Sequence, residues 1–114
     1  MALQVSTVQL DRRLLRIELT DASTLVLVGI VSFASVIGYR VLDERDLQGF
    51  WPACSSKHGW LYEIHANGWL QDELERPGTC MEFYGTPREY LIPGIEFCVS
   101  VISDDEPGCQ LLLP

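Results

Sequence analysis

The chain has 114 residues, 47% of them hydrophobic, which is the length and apolar content of one globular domain spanning 1–114 around a single core. Its net charge of −8 argues against direct binding to nucleic acid or to an anionic bilayer, because a surface of that sign repels phosphate. The opening "MALQVSTVQLDRR" has neither the basic n-region nor the apolar h-region of a secretory leader. Cys54, Cys80, Cys98 and Cys109 are therefore expected as reduced thiols in the cytoplasm.

In chain order, a first strand is expected over Val5 to Leu10. Leu15, Ile17 and Leu19 then alternate with Arg16, Glu18 and Thr20, the period of a half-buried strand. "ASTLVLVGIVSFASVIGY", Ala22 to Tyr39, is long and uncharged, but Gly29, Ser32, Ser35 and Gly38 interrupt it and β-branched residues fill it. That patterning favours two buried strands joined near Ser32 to Ser35 over a membrane helix. "LVLVGIV", apolar on both faces, belongs in the middle of a sheet, with Val36 to Leu42 returning antiparallel beside it. Asp43 can cap a short helix, "ERDLQGFW", which Pro52 ends before the polar loop "ACSSKHG".

In "WLYEIH", Trp60, Tyr62 and Ile64 are expected on one face and Leu61, Glu63 and His65 on the other. Asn67-Gly68 suits the positive φ values of a tight hairpin turn. "WLQDELER" is expected to begin as strand and continue as a helical turn, stopping at Pro77-Gly78. Trp51, Trp60 and Trp69 recur every nine residues, but two copies of GWL are too few for a stacked repeat. The three tryptophans read as core and hinge packing. "TCMEFY" and "REYLIPG" read as strands, and Ile95, Phe97, Val99 and Val101 alternate with Glu96, Cys98 and Ser100 as a clear amphipathic strand. "DDEPG" forms a turn, and "CQLLLP" an edge strand that Pro114 closes to further pairing. The expected fold is β-rich α+β: a curved antiparallel sheet or partly open barrel of about 6–8 strands with one or two short helices.

Charge is unevenly placed. Residues Met1 to Lys57 carry six acidic and six basic side chains, whereas His58 to Pro114 carry ten acidic residues against Arg76 and Arg88 alone. The whole excess lies in the second half. A basic protein is the partner such a surface attracts, although acidity also serves solubility without selecting any partner.

Catalytic and metal-binding patterns are thin. Cys54, His58, His65 and Cys80 could in principle ligate zinc, but no CxxC knuckle is present, and no metal or cofactor is expected. Cys54 with His58 or His65 meets the minimum of a thiol and a base, yet no glycine-rich oxyanion turn adjoins it. Glu63 with Glu73 or Glu75 could form an acid–base pair, though carboxylates of this kind are mostly solvated. No phosphate loop or dinucleotide fingerprint occurs.

The succession "GYRVLDERDL", "GWLYEI" and "REYLIPGIEFCVSVIS" resembles small cytoplasmic bacterial immunity proteins of polymorphic toxin systems, over Leu25 to Ser103. The resemblance lies in strand patterns and carries no catalytic signature. It implies a non-enzymatic protein that blocks a cognate toxin. Many intracellular toxins act on nucleic acid or nucleotides through basic clefts, which an acidic face can cover. The expected contacts are Glu63, Asp72, Glu73, Glu75 and Glu82, with Trp69 and Tyr84 as aromatic anchors. Two alternatives stand beside this reading: a small-molecule binding module with a tryptophan-lined pocket, and a minor enzyme using His65 and Glu63.

Overall fold

A computed structural model describes residues 2–43, 45, 59–79 and 85–112. The strands are β1 (Leu3–Asp11), β2 (Leu14–Asp21), β3 (Leu27–Phe33), β4 (Val36–Asp43), β5 (Tyr62–Ile64), β6 (Arg88–Ile92), β7 (Phe97–Ser103) and β8 (Gly108–Leu111). Among the described residues one helix, α1 (Trp69–Glu75), lies between β5 and β6. All described pairings are antiparallel, in two sheets ordered β1-β2-β3-β8 and β4-β7-β6-β5. The β-rich α+β expectation holds at that level. The expected single sheet is instead two four-stranded sheets, which among the described residues do not close into a barrel.

Alternation explains the layer between them. Leu15, Ile17 and Leu19 of β2, Val31 and Phe33 of β3, and Val5 of β1 face Tyr90 and Ile92 of β6 and Val99 and Val101 of β7. Each such side chain contributes roughly 1.5–3 kcal/mol when fully buried. The Phe33 and Tyr90 rings cross this layer 5.3 Å apart in a tilted arrangement. A bulge between Val5 and Thr7 lets Val5 and Val8 both pair with inward residues of β2. The part of "LVLVGIV" from Leu27 onward runs mid-sheet as expected, with β3 between β2 and β8, but Leu25 and Val26 precede the strand and are exposed; β8 lies at an edge of the described sheet.

Val36 to Leu42 departs from expectation. It does not return beside β3 but enters the other sheet, where β4 pairs with β7. The two-residue link Ala34-Ser35 is held by the β7–β8 turn. Asp105, from the β7–β8 turn, accepts the Ala34 N–H at 3.0 Å and the Ser35 N–H at 3.2 Å, and Asp104 N–H bonds to Ser35 O at 3.1 Å. The Ser103 hydroxyl donates to the same Asp105 carboxylate. Both crossings between the sheets, β3 to β4 and β7 to β8, thus share one polar knot. Burial pushes the Asp105 carboxyl up, but the Ser103 hydroxyl and the Ala34 and Ser35 amides outweigh it and hold it below its ordinary range.

The amphipathic reading of β7 also needs correction. Cys98, Ser100 and Ile102 are as buried as Val99 and Val101, and only Phe97, at the strand's start, is exposed. β7 is an interior strand, and its outer face is covered. There Leu91 and Cys98 pack with Leu42, Tyr62 and Ile64, and α1 lies over the sheet.

The Asn67-Gly68 hairpin is absent. β5 pairs with β6, and the chain after it turns directly into α1, which is helical from Trp69 onward instead of beginning as strand. Asn67 does take the left-handed conformation (φ 60°), but Gly68 caps the helix in extended backbone (φ −114°, ψ −165°). Trp60 also leaves the face shared by Tyr62 and Ile64: it packs on the inter-sheet core, while the other two pack on the outer cluster. β5 spans only three residues, so alternation does not extend back to position 60. The helix expected over "ERDLQGFW" apart from Arg45, the loop "ACSSKHG" apart from Gly59, and the strand "TCMEFY" apart from Thr79 lie outside the described residues.

Candidate functional site

The acidic second half is divided by the fold into internal and outward-facing groups. Glu89 is 2% exposed. Asp105 is bound into the crossing described above, and Glu106 pairs with Arg88 at 3.1 Å. Glu73 pairs with Arg76 at 2.9 Å one helical turn on, its side chain 23% exposed. Asp72 and Glu75, by contrast, stand exposed on the outward side of α1 and form no ion pair among the described residues. Leu74, between them in sequence, is 46% exposed.

Helical spacing sorts the rest of α1. Trp69, at its start, turns inward over β4, with the Arg40 guanidinium 4.7 Å from its ring centroid. A side chain at Gly38 would meet the same indole at 3.7 Å. Trp69 therefore anchors the helix to its own sheet as well as being half exposed. Leu70 and Leu74, four residues apart, share the side that looks toward β5. Between them and β5 runs a cleft of about 170 Å³ lined by Ile64, His65, Ala66, Gly68, Leu70, Gln71, Leu74 and Glu89. At its back the Glu89 carboxylate accepts the Leu70 N–H at 2.8 Å, while at its rim the Gln71 amide oxygen accepts the Asn67 N–H at 2.7 Å.

Glu63 lies apart from these groups. It pairs with Tyr90, an inward-facing residue, and so sits on the opposite face of β5 from Ile64 and the cleft. Its Oε2 is 3.2 Å from His65 Nε2, with the imidazole 81% exposed. Burial holds the Tyr90 phenol above its ordinary range; the Arg88 guanidinium draws it down, and the Glu63 carboxylate pushes it up. The Tyr90 hydroxyl itself is enclosed and makes no hydrogen bond of normal geometry.

Of the expected contacts, the fold thus gathers Asp72, Glu73 and Glu75 on α1 with Trp69 at the helix start, and sets Glu63 on another face. Glu82 and Tyr84 lie outside the described residues. Trp60 and Trp69 go to different layers and form no common pocket, and Trp51 lies outside the described residues. Glu63 and the α1 carboxylates, considered as an acid–base pair, belong to different faces. Cys54, His58 and Cys80 lie outside the described residues; among those described, no group of three His, Cys, Asp or Glu side chains is placed to hold a metal ion. Among the described residues Cys98 is buried and Cys109 exposed. No helix among the described residues is long and apolar enough to cross a membrane.

Sequence reasoning missed the cleft and Glu89. One signal was available: in "REYLI" an acidic residue stands in the alternation with Leu91, on a face otherwise apolar. Comparison with known proteins finds no matching family model, no similar curated protein and no similar solved structure.

Proposed function

We propose that this protein is a non-catalytic inhibitor of the immunity type, binding a basic toxin domain through the outward side of α1 and covering its active site. The observation that supports docking there is the pair Asp72 and Glu75, exposed and without ion-pair partners among the described residues, with the half-exposed Leu74 on the adjoining, β5-facing side of the same helix. Unneutralised carboxylates steer a basic partner, and an apolar side chain next to them supplies contact area once water is excluded. The acidic residues that pair within the fold, Glu73 and Glu106, contribute less to such a field. The choice of a toxin among basic partners draws on the sequence resemblance alone.

Asp72→Lys combined with Glu75→Lys tests this reading. Both positions are exposed, and exposed charges contribute at most about 1 kcal/mol to stability, so the double mutant should melt like the wild type. Association with the basic partner copurified from the native host should slow by about tenfold or more at low salt and converge with wild type at high salt. Unchanged low-salt association in a folded double mutant would show that α1 is only a solvated face.

A further inference from the structure

The cleft beside α1 has a chemistry that the outward carboxylates do not explain. Ile64, Leu70 and Leu74 line it with apolar surface, Ala66 and His65 are exposed at its rim, and Glu89, 2% exposed, lies at its back. The two Glu89 oxygens are not equivalent. Oε1 accepts the Leu70 N–H at 2.8 Å. Oε2 accepts no hydrogen bond from a described residue, yet it is not sealed from solvent as the Tyr90 hydroxyl is. A nearly buried carboxylate with one oxygen unbonded is unfavourable unless a donor or cation reaches it.

We infer that this cleft is a lysine pocket within the docking surface: the stem of one partner lysine lies between Ile64, Leu70 and Leu74, and its ammonium meets Glu89 Oε2. The inference rests on the reading of α1 as the face that meets a basic partner, and it adds the side chain that the face selects. The cleft, at about 170 Å³, is several times the roughly 30 Å³ share of one water. Apolar walls suit a methylene stem, which buries readily along such surface while its head seeks a polar group. Lysine fits better than arginine for a geometric reason. A guanidinium engages a carboxylate as a fork through both oxygens, and Oε1 is already taken by the helix, whereas an ammonium is a point charge satisfied by one. His65 at the rim is already paired with Glu63, and the Gln71 oxygen with Asn67, so neither competes for the ammonium.

The probe is Nα-acetyl-lysine methylamide, titrated into the full chain while the methyl groups of Ile64, Leu70 and Leu74 are followed by NMR, with the arginine analogue as comparison. A saturable response is expected with an affinity on the order of 1 mM. The arginine compound should bind at least about tenfold more weakly. Glu89→Gln, which keeps an oxygen for the Leu70 N–H, should also weaken lysine binding by at least about tenfold. Should that variant fail to fold, Ala66→Met, at an exposed rim position, fills the cleft without touching Glu89 and should abolish the response. No saturable response to the lysine compound, equal binding of the arginine compound, or an unaltered response in Ala66→Met would overturn the pocket. With the copurified partner, Glu89→Gln should raise the dissociation rate and spare salt-dependent association, whereas reversing Asp72 and Glu75 slows association. Steering that survives without a lysine effect therefore removes the pocket alone. A partner indifferent to Asp72 and Glu75 removes the surface reading, and the blocked-lysine titration then decides the pocket by itself.

Discussion

Replacing Gly68 by alanine should destabilise this protein strongly, although the backbone there is open to any residue. At φ −114° and ψ −165° a side chain meets no local strain; the obstacle is what surrounds it. A Cβ at this position would stand 2.5 Å from Glu89 Oε1 and 2.7 Å from Ile64 Cγ2. The carboxylate is the end of a flexible side chain, but it is 2% exposed and bonded to the Leu70 N–H. Moving it breaks that bond, and moving Ile64 disturbs β5. Overpacking costs typically about 1–3 kcal/mol, and loss of a hydrogen bond to a charged group about 1.5–3 kcal/mol. The two contributions together come to about 2.5–6 kcal/mol, a large fraction of the roughly 5–15 kcal/mol that holds a domain folded. Urea unfolding of wild type and variant, compared at equal m-value, measures it. Asn67→Ala is the control, since Asn67 has φ 60° and its replacement should cost only about 1–2 kcal/mol. A Gly68→Ala protein within about 0.5 kcal/mol of wild type, or one less affected than Asn67→Ala, would refute the close packing of Gly68 against Glu89.

Asp105→Asn should destabilise by about 1.5–3 kcal/mol at neutral pH, because the carboxylate accepts the Ala34 and Ser35 amides and the Ser103 hydroxyl. Its folded pKa is lowered, so this stabilisation is complete above the unfolded value of about 3.9 and fades as pH falls through the lower folded value. The difference between wild type and variant in urea melts should accordingly shrink in strong acid, and a difference that stays constant would remove the assignment. Tyr90→Phe should leave stability unchanged or raise it slightly, since the enclosed hydroxyl makes no hydrogen bond of normal geometry; a loss above about 1.5 kcal/mol would show that Arg88 or Glu63 satisfies it.

Much of the strand content was legible because alternation is a local property. The inward set Leu15, Ile17 and Leu19 follows from period alone, and the largely apolar run of β3, charged at no position, marks an interior strand. The helix at α1 is half legible, as "WLQDELER" reads as strand passing into a helical turn while the structure is helical from Trp69 onward. Of the site, the acidic residues of α1 were visible as composition, but composition could not separate Asp72 and Glu75, which face outward, from Glu73, which pairs with Arg76.

The sequence by itself determined that the chain is β-rich, where most of its strands run, and that the acidic excess belongs to the second half. Tertiary structure decided which strands meet. β4 joins β7 in preference to β3, because Asp105, some seventy residues from Ala34 and Ser35, holds the corner that sends the chain into the other sheet. It also decided that β7 is buried on both faces, and that Gly68 is needed for space and not for a positive φ. Finally, it placed Glu89 behind a helix nineteen residues earlier in the chain. In each case the controlling contact joins residues far apart in sequence, and periodicity reports only on neighbours along the chain.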